Sequence, residues 1–478
     1  MSKKQDTGRG KYLLKNTAIF AIGNFGTKLI SFVLVPLYTY ALTAQEYGTV
    51  DLIAAIAFIA APLLSLNIAE AVMRFSLDED ADQAQILSVG VGVCGVAIVV
   101  AALSLLIMWS IPAISEYAFH TYLYIVSSMA SQIFLYNLRG REMLLQYSVG
   151  NILNTFLAAS LNVVFLVVCD WGIKGYLLAY ILAYTVTTVY ALLQKPVRAD
   201  FRQFSLNKKL AGEMIKYSVV LVPTALMWWI MSSLDKVMLS FMSGLAVAGL
   251  YAVSYKLPTI ASTISTIFNQ AWSYSAIREE DSTDRDDYSN TIYNGVVAVS
   301  LLVGAGLLLI LRDFMKIYVA GEYYSAWEYT PPLIVGTVFL SIGTFVATPY
   351  TVHKDSLGYL KSGMMGAGTN VALNFALIPF FGAVGAAIAT CISYVVTYIY
   401  RMADTRKYVK LNIMHGNHIA GFALLVISAV TVYLEGILSR LLPLAALIEI
   451  LILFRKVWGG LLNGLLKKIK GRKKNALE

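Results

Sequence analysis

Apolar residues run through this chain in long, nearly unbroken blocks separated by short polar punctuation. Blocks of roughly 20 residues or more predict segments that cross a bilayer. In lipid every backbone N–H and C=O has to be satisfied within the spanning structure, which leaves helices or a closed barrel, and continuous runs of this length select helices. Candidate spans lie at 16–42, 49–73, 85–111, 118–137, 143–168, 172–193, 213–243, 247–276, 290–311, 327–352, 359–380, 383–401, 417–434 and 436–455. Glu435, Arg440 and Glu449 interrupt the last two. The expected fold class is an all-α integral membrane protein with about 14 transmembrane helices.

The blocks repeat. From Leu161 the fifth span runs into the sixth as LNVVFLVVCDWGIKGYLLAYILAYTV, and from Leu373 the eleventh runs into the twelfth as LNFALIPFFGAVGAAIATCISYVV. Both hold Leu-Asn, an apolar run, then Gly-x-x-Gly opening the next helix, at Gly172/Gly175 and Gly382/Gly385. A weaker echo links LTAQEYGTVDL from Leu42 to LAVAGLYAVSY from Leu245. An offset of six spans preserves orientation, so the halves are expected to be parallel six-helix repeats about an axis along the membrane normal. Transporters built this way place substrate between the lobes and alternate its access. The expected organisation is an N-terminal lobe at 1–193, a cytoplasmic linker at 194–212 and a C-terminal lobe at 213–401. Two further spans at 402–455 and a basic tail at 456–478 follow.

Composition supports lipid as the solvent: 58% of residues are hydrophobic, 14% are charged and mean hydropathy is +0.68. Soluble proteins carry about 25% charged residues. The formal charge of +9 is explained by orientation rather than by nucleic acid, because no basic stripe with interleaved aromatics exists. With both ends cytoplasmic, roughly 29 Lys and Arg fall on inner segments against 4 on outer ones. The basic head from Lys3 to Lys15 leads into a run too long for a signal-peptide core, so it is expected to be a retained first span. The tail KKIKGRKK is expected to lie on anionic headgroups. The loop IREEDSTDRDDYS at 277–289 reads as a solvated charge run. Cys94, Cys169 and Cys391 are isolated and read as packing residues.

Ionisable residues within spans are costly and mark candidate sites. Lys28 lies about twelve residues into the first span, near mid-depth, and Asn24 shares its face one turn earlier. Two readings stand for Lys28: a cavity cation for an anionic substrate, or a structural partner of a carboxylate. Asp235 and Lys236 stand toward the outer end of the seventh span, and Lys256 lies about ten residues into the eighth, with Asn269 and Gln270 deeper. Consecutive helical residues point about 100° apart, so Asp235 and Lys236 cannot both face a cavity squarely. Glu70 and Arg74 have the i,i+4 spacing of an ion pair or a gate at the inner end of the second span. Trp228 and Trp229 suit packing or a sugar face, and His415 and His418 lack supporting metal ligands. No phosphate-cradling Gly-rich loop ending in Gly-Lys-Ser/Thr, no H-E-x-x-H and no G-x-S-x-G is present, so no enzyme, metal site or cofactor is expected.

The stretch GNFGTKLISFVLVPLYTYALTAQEYGTVDLI at 23–53 resembles the first span and loop of bacterial polysaccharide flippases of the Wzx type. SSLDKVMLSFMSGLAVAGLYAVSYKLPTIASTISTIFNQAW at 232–272 resembles their seventh and eighth spans, and the paired Leu-Asn and Gly-x-x-Gly marks add to the likeness. The resemblance implies the multidrug/oligosaccharidyl-lipid/polysaccharide exporter fold, with two C-terminal helices added to two six-helix lobes. It implies flipping of a polyprenyl-pyrophosphate-linked oligosaccharide from the inner to the outer leaflet of the bacterial cytoplasmic membrane. Membrane lipids and polysaccharide polymerase machinery are the further partners it implies. Its cavity cations map to Lys28, Lys256 and Lys236. Lipid II flippases carry several arginines on the first two spans where this chain has Lys28 and, at the rim, Arg74. Drug exporters usually have twelve spans and an acidic cation site in the first lobe. Both remain alternatives, and the glycan and the energy source stay open.

Overall fold

The computed structural model describes residues 26, 28–78, 80–278, 282–411 and 416–459. Asn24, His415, the tail beyond 459 and the side chain of Trp228 lie outside the described residues. All regular elements among the described residues are helical. The chain divides into two compact units, Met1–Ala252 and Val253–Glu478.

The first unit opens with α1 (Lys28–Ala41), interrupted at Leu34 just before Pro36. Next comes α2 (Ala44–Leu64), started by a reciprocal cap: the Thr43 hydroxyl accepts from Glu46 N–H, and the Glu46 carboxylate accepts from Thr43 N–H. Pro62 weakens the end of α2, and Leu66 and Asn67 turn left-handed before α3 (Ile68–Ser76) resumes. The second predicted span is therefore two helices. Asp82 caps α4 (Gln83–Trp109) by accepting from Gln85 N–H. It is followed by α5 (Ala118–Gly140), α6 (Leu144–Asn162), a π turn over Val163–Val168, and α7 (Gly172–Leu192).

The polar stretch 194–212 is ordered against the rest of the first unit. It forms α8 (Lys195–Arg202), and Arg141 of the first unit pairs with Asp200. Ser205 N–H donates to Ser88 Oγ at 3.0 Å, and Asn207 Nδ2 donates to Gln85 Oε1 at 2.8 Å. The same Asn207 caps α9 (Lys208–Met242), which packs on α2, α3 and α4. The unit ends within α10 (Leu245–Ser254).

The second unit holds α11 (Lys256–Arg278), α12 (Arg285–Tyr318), a 3-10 segment over Gly321–Tyr329, α13 (Thr330–Val346) and α14 (Thr348–Val352). It closes with α15 (Ser356–Asp404), α16 (Gly416–Thr431) and α17 (Leu438–Leu453). Eight described segments are long and apolar enough to cross a membrane by length and hydropathy alone. Predicted spans outside that set fall on shorter, broken or more polar helices: the eighth is split between α10 and α11, where Pro258 prevents a continuous ladder.

The internal repeat is visible in the backbone. Gly172 has φ +52° and Gly382 has φ +53°, a region that side chains rarely adopt. Gly382 is where two predicted spans join inside α15. Three residues on, Gly175 and Gly385 each lie against a carbonyl of the preceding segment. A Cβ there would sit 3.2 Å from the Phe165 oxygen and 2.5 Å from the Leu377 oxygen. The paired asparagines match too: Asn162 and Asn374 are each 0% exposed, and each has an Oδ1 without a hydrogen-bond donor.

Candidate functional site

In the first unit the charges converge where α2 and α9 run alongside each other. Asp235 is 4% exposed, and its Oδ2 accepts from the Tyr251 hydroxyl of α10 at 2.9 Å. Its neighbour Lys236 points elsewhere, as the 100° step between consecutive helical residues requires. The Lys236 ammonium donates to Asp51 Oδ1 of α2 at 3.2 Å. One face of α9 thus engages α10 through a carboxylate, and another engages α2 through an ammonium. One turn further along α2, Trp229 Nε1 donates to the Ala55 carbonyl at 2.7 Å. Charged groups in a membrane-spanning helix are tolerated when paired, and both members of this dipeptide are.

Lys28, on α1, presents an exposed side chain. Glu70 is half-buried at the start of α3. The i,i+4 spacing of Glu70 and Arg74 predicts a pair that the structure replaces with another: Arg74 Nη1 binds Asp78 Oδ1 at 2.6 Å, again i,i+4. The Arg74 side chain is half-exposed beyond the last apolar turn, where Asp78 is the nearer carboxylate.

In the second unit Lys256 is half-buried at the first position of α11, where the helix restarts in mid-span. The preceding residue, Tyr255, donates through its hydroxyl to Thr390 Oγ1 at 3.4 Å. Thr390 in turn accepts from Asn370 Nδ2 at 3.2 Å, and Asn370 Oδ1 accepts from Asn374 Nδ2 at 2.9 Å. This hydroxyl–amide chain is uncharged, and all of it but half-buried Tyr255 is buried. Deeper on α11, Asn269 is buried with its Oδ1 unpartnered, while Gln270 is exposed. Asn269 lines a cavity of about 660 Å³ with Phe268, Val299, Asn294 and Lys456, whose walls are mainly apolar. His418 is buried beside it, with Nε2 bonded to Asn294 Oδ1 at 2.8 Å.

The structure therefore brings Asp235 and Lys236 together with two residues that sequence reasoning missed, Asp51 and Tyr251. Asp51 carried a usable signal, since an acid inside a predicted apolar span calls for a partner. Tyr251 carried none, because tyrosines are common along the whole chain.

A family model described as polysaccharide biosynthesis protein matches residues 13–274. The probable flippase AglR of Haloferax volcanii is 26% identical over 248 residues, covering 47% of this chain. The match spans only 50% of that relative's length. Among solved structures, the lipid II flippase MurJ in an inward closed conformation superposes with a TM-score of 0.68 at 12% identity. It covers 92% of this chain and 99% of its own. An inward-facing multidrug resistance MATE family transporter of the MOP superfamily gives 0.59 at 12% identity, over 81% and 98%. At these identities the structures share a multi-pass membrane-transporter fold with this chain.

Proposed function

The chain belongs to the polysaccharide biosynthesis protein family, and from that premise we propose that it is a flippase for a polyprenyl-diphosphate-linked oligosaccharide. It moves the glycan from the inner to the outer leaflet of the bacterial cytoplasmic membrane by alternating access, with both of its ends cytoplasmic. The observation that carries this reading is the set of lysines on spanning helices: Lys28 exposed, Lys236 and Lys256 half-buried. A diphosphate is the part of such a substrate that lipid tails reject. An ammonium in a partly desolvated site offsets that charge more strongly than one in water. The apolar cavity beside Asn269 suits a prenyl chain, and Lys456 at its edge suits a phosphate at the inner leaflet. The work is carriage rather than bond chemistry, and membrane lipids and the polymerase that receives the glycan are its partners.

The test is flipping in proteoliposomes with a fluorescent polyprenyl-diphosphate oligosaccharide, comparing wild type with Lys28→Ala. Translocation by wild type that falls at least tenfold in the variant is the expected result. Equal rates would remove Lys28 from the site but keep the substrate class. A wild type that leaves this lipid in place but moves lipid II, or a cationic drug, would replace the substrate reading with that one.

A further inference from the structure

The ion pair of Asp51 and Lys236 has features of a temporary contact. Its side chains are 18% and 19% exposed, so both charges are largely desolvated yet still reachable by a solvated ion. As a permanent brace such a pair is a poor choice. The desolvation it requires offsets much of its attraction, so its net contribution to holding the helices together is small. A carboxylate, however, asks of an ammonium what a phosphate oxygen asks: a charge-assisted N–H···O contact. The same helix contact holds a bond from Trp229 to the Ala55 carbonyl that is neutral and independent of any anion.

We propose that Asp51 is a built-in surrogate for the substrate's diphosphate, occupying Lys236 until the lipid-linked glycan arrives and then yielding to it. The exchange unfastens the N-terminal end of α2 from α9 while the Trp229 bond keeps the two helices in register deeper down. Binding of the anion and parting of the helices thereby become one event. Asp51 acts through Lys236 and is a positioning residue. The inference rests on the flippase reading, because it requires a diphosphate to reach Lys236.

The arrangement has a signature that a structural brace lacks. Removing the Asp51 charge takes away the competitor, so affinity for the anion rises while turnover falls. The probe is farnesyl diphosphate, with farnesol as its uncharged control, binding to the purified full-length protein in nanodiscs. Wild type is expected to prefer the diphosphate. Asp51→Asn is expected to bind it about tenfold more tightly, equivalent to about 1.4 kcal/mol, with slower flipping in proteoliposomes. Asp51→Glu restores both values. Lys236→Gln weakens binding, and adding Asp51→Asn to it gives no gain. Asp51→Ser serves as a second neutral variant should Asp51→Asn fold poorly. Unchanged or weaker affinity in folded Asp51→Asn and Asp51→Ser, with wild type still preferring the diphosphate, overturns the surrogate alone. A wild type that binds farnesol and farnesyl diphosphate equally overturns the surrogate together with the flippase reading.

Discussion

Gly48 of α2 and Gly249 of α10 lie backbone against backbone in the first unit. A Cβ on Gly48 would overlap the Leu245 carbonyl oxygen, and one on Gly249 would overlap the Ala44 carbonyl oxygen. The obstructing atoms are main chain, so no rotamer change relieves the clash. Gly48→Ala and Gly249→Ala are each expected to force the helices apart at a cost of about 1–3 kcal/mol, the usual range for overpacking. Thermal unfolding of the purified variants checks this. Gly95→Ala is the control, because nothing lies within 4 Å of its added Cβ. A melting temperature lowered in the two crossing variants and not in the control is the expected pattern.

The two repeat glycines differ in how much they demand. Gly382 has φ +53° with ψ −131°, a combination outside the left-handed helical region that other residues occasionally adopt. Gly382→Ala is therefore expected to destabilise by about 1–3 kcal/mol. Gly172 shares the positive φ, and its added Cβ would meet only the flexible Glu46 carboxylate at 3.4 Å. Gly172→Ala is expected to cost less, about 1–2 kcal/mol. Melting curves of the two single variants test the order, and equal shifts would mean that the second turn is less constrained than its backbone indicates.

Much of this architecture was legible in the sequence, for definite reasons. Lipid enforces long helices, so apolar run length pointed to the eight long apolar segments, and the Gly-x-x-Gly marks at Gly172 and Gly382 pointed to the repeat turns because glycine adopts a positive φ at least cost. Breaks inside spans were less visible. Leu66 and Asn67 turn left-handed without a glycine, and the interruption near Tyr255 precedes a proline that many membrane helices tolerate. Partners were the least visible. Lys236 and Asp235 stood out as charges in an apolar run, but Asp51 is 185 positions from Lys236, and only the fold makes that distance 3.2 Å. Glu70 and Arg74 show the opposite error: a favourable spacing within one helix was outcompeted by Asp78 one turn further on.

The equivalent asparagines offer a sharper comparison, since each is fully buried with an unpartnered Oδ1. Asn162 donates only within its own helix, from Nδ2 to the Ala158 carbonyl at 2.7 Å. That carbonyl keeps its helical partner when the side chain is removed. Asn162→Leu therefore deletes an unsatisfied polar atom and strands nothing, and its stability is expected to equal or slightly exceed that of wild type. Asn374 instead supplies a donor to Asn370 Oδ1. Asn374→Leu leaves that buried oxygen without it, at a cost of about 1–3 kcal/mol. Opposite signs in the two melting shifts are the expected outcome. Equal losses would show that the Asn162 oxygen has a partner that contributes to folding.

Asp355, in the loop before α15, gives a prediction in pH. Its Oδ1 accepts from Gly358 N–H at 2.8 Å, and its Oδ2 accepts from the Tyr408 hydroxyl at 2.8 Å and the Lys407 ammonium at 3.2 Å. The Gly358 N–H first, and then the Tyr408 hydroxyl, hold its pKa below the usual aspartate value. A carboxyl depressed in the folded state favours folding at every pH above its unfolded value, about 3.9. That contribution disappears as pH falls through the lower, folded value. Asp355→Asn can still accept from Gly358 N–H but carries no charge for Lys407. The melting temperature of wild type is therefore expected to exceed that of Asp355→Asn by a constant margin from pH 8 down to about 5, with the margin closing below about 4. A margin that widens on acidification would mean that the carboxyl is protonated in the fold and that its bonds to Gly358, Tyr408 and Lys407 do not set its charge.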